Sequence, residues 1–220
     1  MEEISRLIDT LRPLLPERCV ISGGPISNRV SDISRTELAL VRSAAIRRQR
    51  EFACGRYYAH QVLQILGQDF PVIDRNKDGS PQWPPNIVGS ISHTGTYCIV
   101  AAGTAADIVS MGIDLEESRR LNPDLWSRLF TSCELKAIND TNDPAGQRRR
   151  AAAIFSAKEA FYKCDFPLKK YTGFRNIEIS LKKNNNLKFF HVESNAAICY
   201  EGFYCSGLNY VLTIVIKAQI

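Results

Sequence analysis

A chain of 220 residues that is 45% hydrophobic can bury one large core or two small ones. No apolar run reaches the roughly 18–20 residues of a membrane helix, and Met1-Glu2-Glu3-Ile4 lacks the basic start and apolar middle of a signal peptide, so a soluble cytoplasmic protein is expected. The net charge is +5, of which the first 110 residues carry +1 and the remainder +4, a bias that suits an anionic substrate or acidic partner and is too small to demand nucleic acid.

Seven cysteines, an odd number without a Cys-x-x-Cys pair, argue against a zinc site or a disulfide framework. They read as buried free thiols.

In chain order, Leu7, Ile8 and Leu11 predict a short helix ending at Pro13, and Ser22-Gly23-Gly24-Pro25 reads as a turn. Ser34-Arg35-Thr36-Glu37 fits a capping box, and one long helix is expected from Thr36 to Leu66, ending at Gly67. Projected at 100° per residue, its apolar stripe runs through Val41, Phe52, Ala59 and Val62. Arg48 and Arg56 lie on or beside that stripe, so each needs a partner, either an internal carboxylate such as Glu51 or a bound anion. Asp74 to Pro85 is a loop. Ile87–Ser92 and Tyr97–Ala102 form a hairpin through His93-Thr94-Gly95-Thr96.

From Ser110 to Glu116 the alternation is clean: Met111, Ile113 and Leu115 face one side, and Gly112, Asp114 and Glu116 the other. A helix is expected at Leu125–Phe130. A second capping box, Thr131-Ser132-Cys133-Glu134, opens another. Asp143-Pro144 starts a helix reaching Lys163 or Cys164. Asn184-Asn185-Asn186 turns between two strands. Strand-like runs at Ile198–Tyr204 and Tyr210–Ile216 complete the chain. No internal repeat is visible.

Asp114 and Glu116, two apart on one strand face, can share a hard cation. Glu159 and Lys163, four apart on a helix, share a face. If strand and helix pack together, three carboxylates meet an ammonium, a like-charge cluster that calls for a cation. Each motif also has an ordinary reading: a solvent-facing Asp-x-Glu, a helix ion pair, a structural His93. Upstream, Arg48, Arg56 and His93, with hydroxyls around the histidine, offer ligands for an anion. A molecule with a phosphomonoester at one end and a pyrophosphate further along would bridge the two sets.

These residues resemble the large, single-chain phosphopantetheinyl transferases, most closely the enterobactin-synthase-component subgroup. Five segments carry the resemblance in order, between roughly residues 45 and 165: Arg48 to Arg56, Gly79-Ser80-Pro81-Gln82-Trp83-Pro84, Gly89-Ser90-Ile91-Ser92-His93-Thr94, Gly112-Ile113-Asp114-Leu115-Glu116 and Phe155-Ser156-Ala157-Lys158-Glu159-Ala160-Phe161-Tyr162-Lys163. Position 155 is Phe where many relatives carry Trp, and position 94 is Thr where Cys is frequent.

The resemblance implies an α+β fold of two similar halves, residues 1–110 and 111–220, forming a pseudo-dimer in one chain, with coenzyme A bound between them. It implies Mg²⁺ held by Asp114, Glu116 and Glu159, and a 3′-phosphate met by Arg48 and His93. Ser92, Arg56, Arg75, Lys77, Gly79, Ser80 and Pro81 would join the coenzyme A site, with Lys158 and Lys163 supplying charge. Glu159, Lys163 and Asp114 would be catalytic, with Glu159 the first candidate for general base. The implied reaction moves 4′-phosphopantetheine to a serine of an acidic acyl, peptidyl or aryl carrier protein, for siderophore, nonribosomal peptide or polyketide synthesis, and a monomer is expected.

Arg148-Arg149-Arg150, Lys169-Lys170 and Lys182-Lys183 are candidate carrier contacts, as is the surface near residues 117–130. The alternatives are another Mg²⁺-dependent phosphotransferase and a coenzyme A or nucleotide-binding module.

Overall fold

The computed structural model describes residues 2–165, 174–192 and 197–219. An amphipathic helix comes first, α1 (Glu2–Leu11). Its Ile4, Leu7, Ile8 and Leu11 recur at helical spacing and are all buried. The strand β1 (Cys19–Pro25) follows, then α2 (Arg35–Ala39), the long α3 (Ile46–Ile65) and a hairpin of β2 (Ile87–His93) and β3 (Tyr97–Thr104). These strands form one antiparallel sheet in the order β1-β3-β2.

The second half repeats that plan. It runs from β4 (Ile108–Glu117) through α4 (Trp126–Leu129), α5 (Ser132–Asn139) and the long α6 (Pro144–Asp165). An inserted sheet of β5 (Ile177–Leu181), β6 (Leu187–His191) and β7 (Ala197–Ile198) comes next. The hairpin of β8 (Glu201–Ser206) and β9 (Tyr210–Ala218) closes the half. Its main sheet has the order β4-β9-β8. Each half is therefore strand, long helix, hairpin, with the last strand in the middle. The expected division at residue 110 falls inside β4, whose Ile108 already pairs with Ala218.

The two main sheets share one core. Ile99 and Ala101 of β3, Met111, Ile113 and Leu115 of β4, and Leu212, Ile214 and Ile216 of β9 all enter it, together with the buried face of α1. The opposite face of β3, with Cys98, Val100 and Ala102, packs on α3. The helix α6 covers the other face of the second sheet, with Ile154, Ala157 and Phe161 near Val215 and the inserted sheet. This period-two alternation places a helix outside each sheet and the shared core between them.

Three sequence expectations are corrected, the first being the run Ile198–Tyr204, which is split between the end of β7 and the start of β8 in different sheets. Ser22 to Pro25 is strand, in register with Val100 to Tyr97. Its glycines serve close approach: a Cβ on Gly23 would meet the Cys98 carbonyl, and one on Gly24 the Tyr58 hydroxyl. The expected single helix over 36–66 is broken between α2 and α3. A straight helix would hold Glu37 and His60 about 35 Å apart, whereas their side chains meet at 2.8 Å. The turn lets buried Glu37 also accept from the Ile73 amide. Both capping boxes form as expected, at Ser34/Glu37 and at Thr131/Glu134.

The seven cysteines are free; Cys133 and Cys199 are exposed and the other five buried. Among the described residues no helix is long and apolar enough to cross a membrane.

Candidate active site

The strand β4 and helix α6 touch most closely at Gly112, where any Cβ would collide with the Ala160 carbonyl. That approach brings one turn of α6, carrying Glu159 and Lys163, against the face of β4 that carries Asp114 and Glu116. Lys163 Nζ donates to Asp114 Oδ1 at 2.6 Å, to the Ile113 carbonyl at 3.1 Å and to Ser92 Oγ at 3.2 Å. Ser156 Oγ donates to the Asp114 carbonyl. Asp114 is 3% exposed, and its second oxygen, Oδ2, is buried without a hydrogen-bond partner.

An unpartnered buried carboxylate oxygen is costly, because it has lost water and gained nothing. Its neighbours sharpen the cost. Burial, aided by the charge of Asp114 and opposed by Arg120 and Lys163, pushes the Glu116 carboxyl up to about 7. Burial and Asp114 likewise raise Glu159, against the pull of Lys163. Three mutually repelling carboxylates face a single lysine. An all-oxygen, acidic donor set of this kind fits a hard divalent cation such as Mg²⁺. Among the described residues no three such side chains are already gathered into a metal cage. Mg²⁺ tolerates that, because it keeps several waters and completes its shell on substrate phosphates.

The first half supplies a cluster of Arg48, His93 and Glu51. Arg48 Nη1 lies 2.7 Å from His93 Nε2, and Glu51 sits at 3.7 Å from Arg48 and 3.9 Å from His93. Burial, with Arg48 and Lys163, holds His93 below its usual pKa against the opposing charge of Glu51. Arg48 therefore has an internal carboxylate at long range and remains half exposed, free to take an anion as well.

Arg56 is 3% exposed; it donates to the Asp74 carbonyl and stacks on Phe52, over which Arg75 also lies. It thus fixes the root of the Arg75–Pro81 loop. Lys77, Gly79 and Ser80 lie further along that loop, with Gly79 at φ +90°, a conformation that suits glycine. A cleft of about 540 Å³ runs from the loop to Lys163, lined also by Ser80, Trp83, Gly89, Ser110 and Met111. Trp83 lies against Gly89, and its indole nitrogen is buried without a partner.

Like Arg56, two more expected ligands are turned inward. Lys158 is 3% exposed, ion-paired to Glu134 at 2.9 Å and bonded to the carbonyls of Phe174 and Ile177. Its ammonium is fully engaged beneath α6 by these three contacts. The Ser92 hydroxyl is spent on Asp114, Leu115 and Lys163. Sequence reasoning missed Glu134 as the partner of Lys158, although its capping box pointed to a buried carboxylate there.

Residues 36–103 match the family described as "4′-phosphopantetheinyl transferase N-terminal domain", and residues 110–215 match the "4′-phosphopantetheinyl transferase superfamily". The chain belongs to the 4′-phosphopantetheinyl transferases. The two matches fall on the two repeated units, the first from α2 into β3 and the second from β4 into β9. The transferase is 28% identical over 170 residues to the 4′-phosphopantetheinyl transferase Npt of Nocardia iowensis, covering 77% of this chain and 71% of that one. It is 30% identical over 150 residues to PptT of Mycobacterium tuberculosis, covering 68% and 65%. Enterobactin synthase component D of Salmonella austin is 29% identical over 152 residues, covering 64% of this chain and 57% of that protein. The matches therefore span between about half and three quarters of these relatives' lengths.

Proposed function

We propose that the protein transfers the 4′-phosphopantetheine arm of coenzyme A to a serine hydroxyl of a carrier protein. The serine oxygen forms a new bond to the β-phosphorus of the pyrophosphate. The P–O bond to adenosine 3′,5′-bisphosphate breaks, and the serine proton passes to a base. The observation that carries this reading is Asp114: one oxygen is bonded to Lys163 of its own half and to Ser92 across the half interface, the other is buried without a hydrogen-bond partner, and Lys163 also lines a cleft built from both halves.

In this reading Asp114, Glu116 and Glu159 hold Mg²⁺, which would neutralise the pyrophosphate. Lys163 offers a second positive charge to the leaving phosphate. Glu159, beside Asp114 on the facing turn of α6, is the residue we assign to receive the serine proton. Arg48 and His93 take the 3′-phosphate, and a dianion there would favour the protonated histidine. The Arg75–Pro81 loop, held by Arg56, closes over the nucleotide end.

The carrier meets a basic surface. Arg148 and the Lys182-Lys183 pair are exposed. Arg150 instead bonds internally to the Ala137 carbonyl and Thr141 Oγ1, while Lys169-Lys170 lie outside the described residues. We read the acceptors as siderophore, peptide or polyketide carriers. The protein acts as a cytoplasmic monomer in this reading, since one chain holds both halves and its thiols are free.

The test mixes the full chain with coenzyme A, Mg²⁺ and a panel of apo carrier domains, and records intact masses. The expected result is a carrier gaining one phosphopantetheine arm only when Mg²⁺ is present. Tight coenzyme A binding with no gain on any carrier would favour a binding module.

A further inference from the structure

The strands β2 and β4 are edge strands of separate sheets, and they meet where the two halves join. An exposed edge leaves backbone N–H groups without partners. Here two serines of β2 supply them. Ser90 Oγ accepts from the Ile113 amide at 3.1 Å, and Ser92 Oγ from the Leu115 amide at 3.3 Å. Both serines are buried. Side-chain hydroxyls thus stitch the halves where no strand ladder does.

The two serines differ in one respect. Ser92 Oγ also faces Lys163 Nζ at 3.2 Å and Asp114 Oδ1 at 2.9 Å. A hydroxyl has one proton and two lone pairs. Two neighbours of Ser92, the Leu115 amide and the Lys163 ammonium, are donors and fill the lone pairs. Its proton is left a single acceptor, Asp114 Oδ1. The direction of that bond is set by its surroundings rather than chosen. With Lys163 donating to the same oxygen at 2.6 Å, Oδ1 is occupied and the carboxylate cannot rotate freely. The consequence falls on Oδ2, which is held buried and without a hydrogen-bond partner.

We infer that Ser92 is a positioning residue: it links the first half to the second and fixes the rotamer of Asp114 so that Oδ2 is presented to the cation. This inference rests on the transferase reading above, because it gives Oδ2 a metal to meet. Ser90 is the natural control. It makes the same kind of stitch to the same strand, and no hydrogen bond of its hydroxyl reaches a carboxylate among the described residues.

Mn²⁺, which reports its free concentration by electron paramagnetic resonance, is titrated into the full chain in the presence of coenzyme A. Ser92→Ala should weaken Mn²⁺ binding by about tenfold, as loss of a hydrogen bond to a metal ligand commonly does. Ser92→Thr, which keeps the hydroxyl, and Ser90→Ala should stay within about twofold of the wild type. Thermal melts should show both alanine variants losing stability together. If Ser92→Ala and Ser90→Ala shift Mn²⁺ affinity equally, or neither shifts it, the positioning role is wrong while the transferase reading stands. If the wild-type chain binds no Mn²⁺, the metal assignment falls and the inference with it. Should Ser92→Ala fail to fold, Ser92→Cys, with its weak S–H donor, takes its place under the same criteria.

Discussion

Two lysines five residues apart on α6 do different work. Lys158 is sealed against Glu134, and removing one member of a buried ion pair leaves the other a buried charge without its counter-ion. Lys158→Met should therefore destabilise the fold by about 3–5 kcal/mol in denaturant titrations; an unchanged midpoint would mean Glu134 finds other partners. Lys163, 29% exposed at its side chain, reaches the open site. Lys163→Met should remove most transfer and also cost stability, because it leaves buried Asp114 without its ion-pair partner.

His93 offers a finer separation. Beside Arg48, it should matter for the 3′-phosphate alone. His93→Ala should weaken coenzyme A by about 1.5–3 kcal/mol, the range for a hydrogen bond to a charged group, and weaken 3′-dephospho-coenzyme A little. Equal losses on both ligands would place the phosphate elsewhere.

At the scale of elements, each half carries the same device: a short helix whose capping-box glutamate is buried and whose far oxygen accepts a distant backbone amide. Glu37 accepts from Ile73 and Glu134 from Ile179. The sequence showed both boxes, at Ser34 and Thr131, but not the repeat they mark, because the basic partners are His60 in one half and Lys158 in the other. Legible too were the hairpin at His93 to Thr96, the β4 alternation and the start of α6 at Pro144. The break between α2 and α3 was not legible, since residues 40–45 hold no proline or glycine and the kink comes from the tertiary contacts of Glu37. Nor was strand β1, whose paired glycines read locally as a turn while their reason lies on β3 and α3. The closeness of Asp114, Glu116 and Glu159 was legible from spacing, whereas the inward turn of Lys158 depended on a partner 24 positions away.

Glu37 also predicts an acid response. Burial pushes its pKa up, but bonds from His60, Ile73 and Ser34 outweigh that and bring it down to about 2. A folded-state pKa below the unfolded value means stability that is full above about 4.5 and lost as pH falls toward about 2. Wild type should lose more stability than Glu37→Gln over that window; parallel acid-unfolding curves would contradict the assignment. Gly112→Ala tests the contact between β4 and α6. Pressing a methyl on the Ala160 carbonyl should cost about 1–3 kcal/mol and lower transfer as well, since α6 carries Glu159 and Lys163.

For the whole molecule, the shared core joins α1, both main sheets and the β2–β4 seam, so the halves should unfold in one transition. Differential scanning calorimetry should show a single peak; two separated peaks would mean the halves are independent. The excess positive charge of the second half should speed encounter with acidic carriers. Raising salt should slow the second-order rate of transfer more than it changes the rate at saturating carrier, and a salt-independent second-order rate would count against charge steering.

The central claim is that the Asp114 site, formed where the halves meet, splits the pyrophosphate of coenzyme A. The most direct measurement follows adenosine 3′,5′-bisphosphate and modified carrier together in a single turnover, for wild type and Asp114→Ala, with Mg²⁺ and with a chelator. The account predicts one nucleotide released per carrier modified by the wild type with Mg²⁺, and neither product in the other arms, although Asp114→Ala still unfolds in one cooperative transition. Full turnover by Asp114→Ala, or by wild type under chelation, would contradict it.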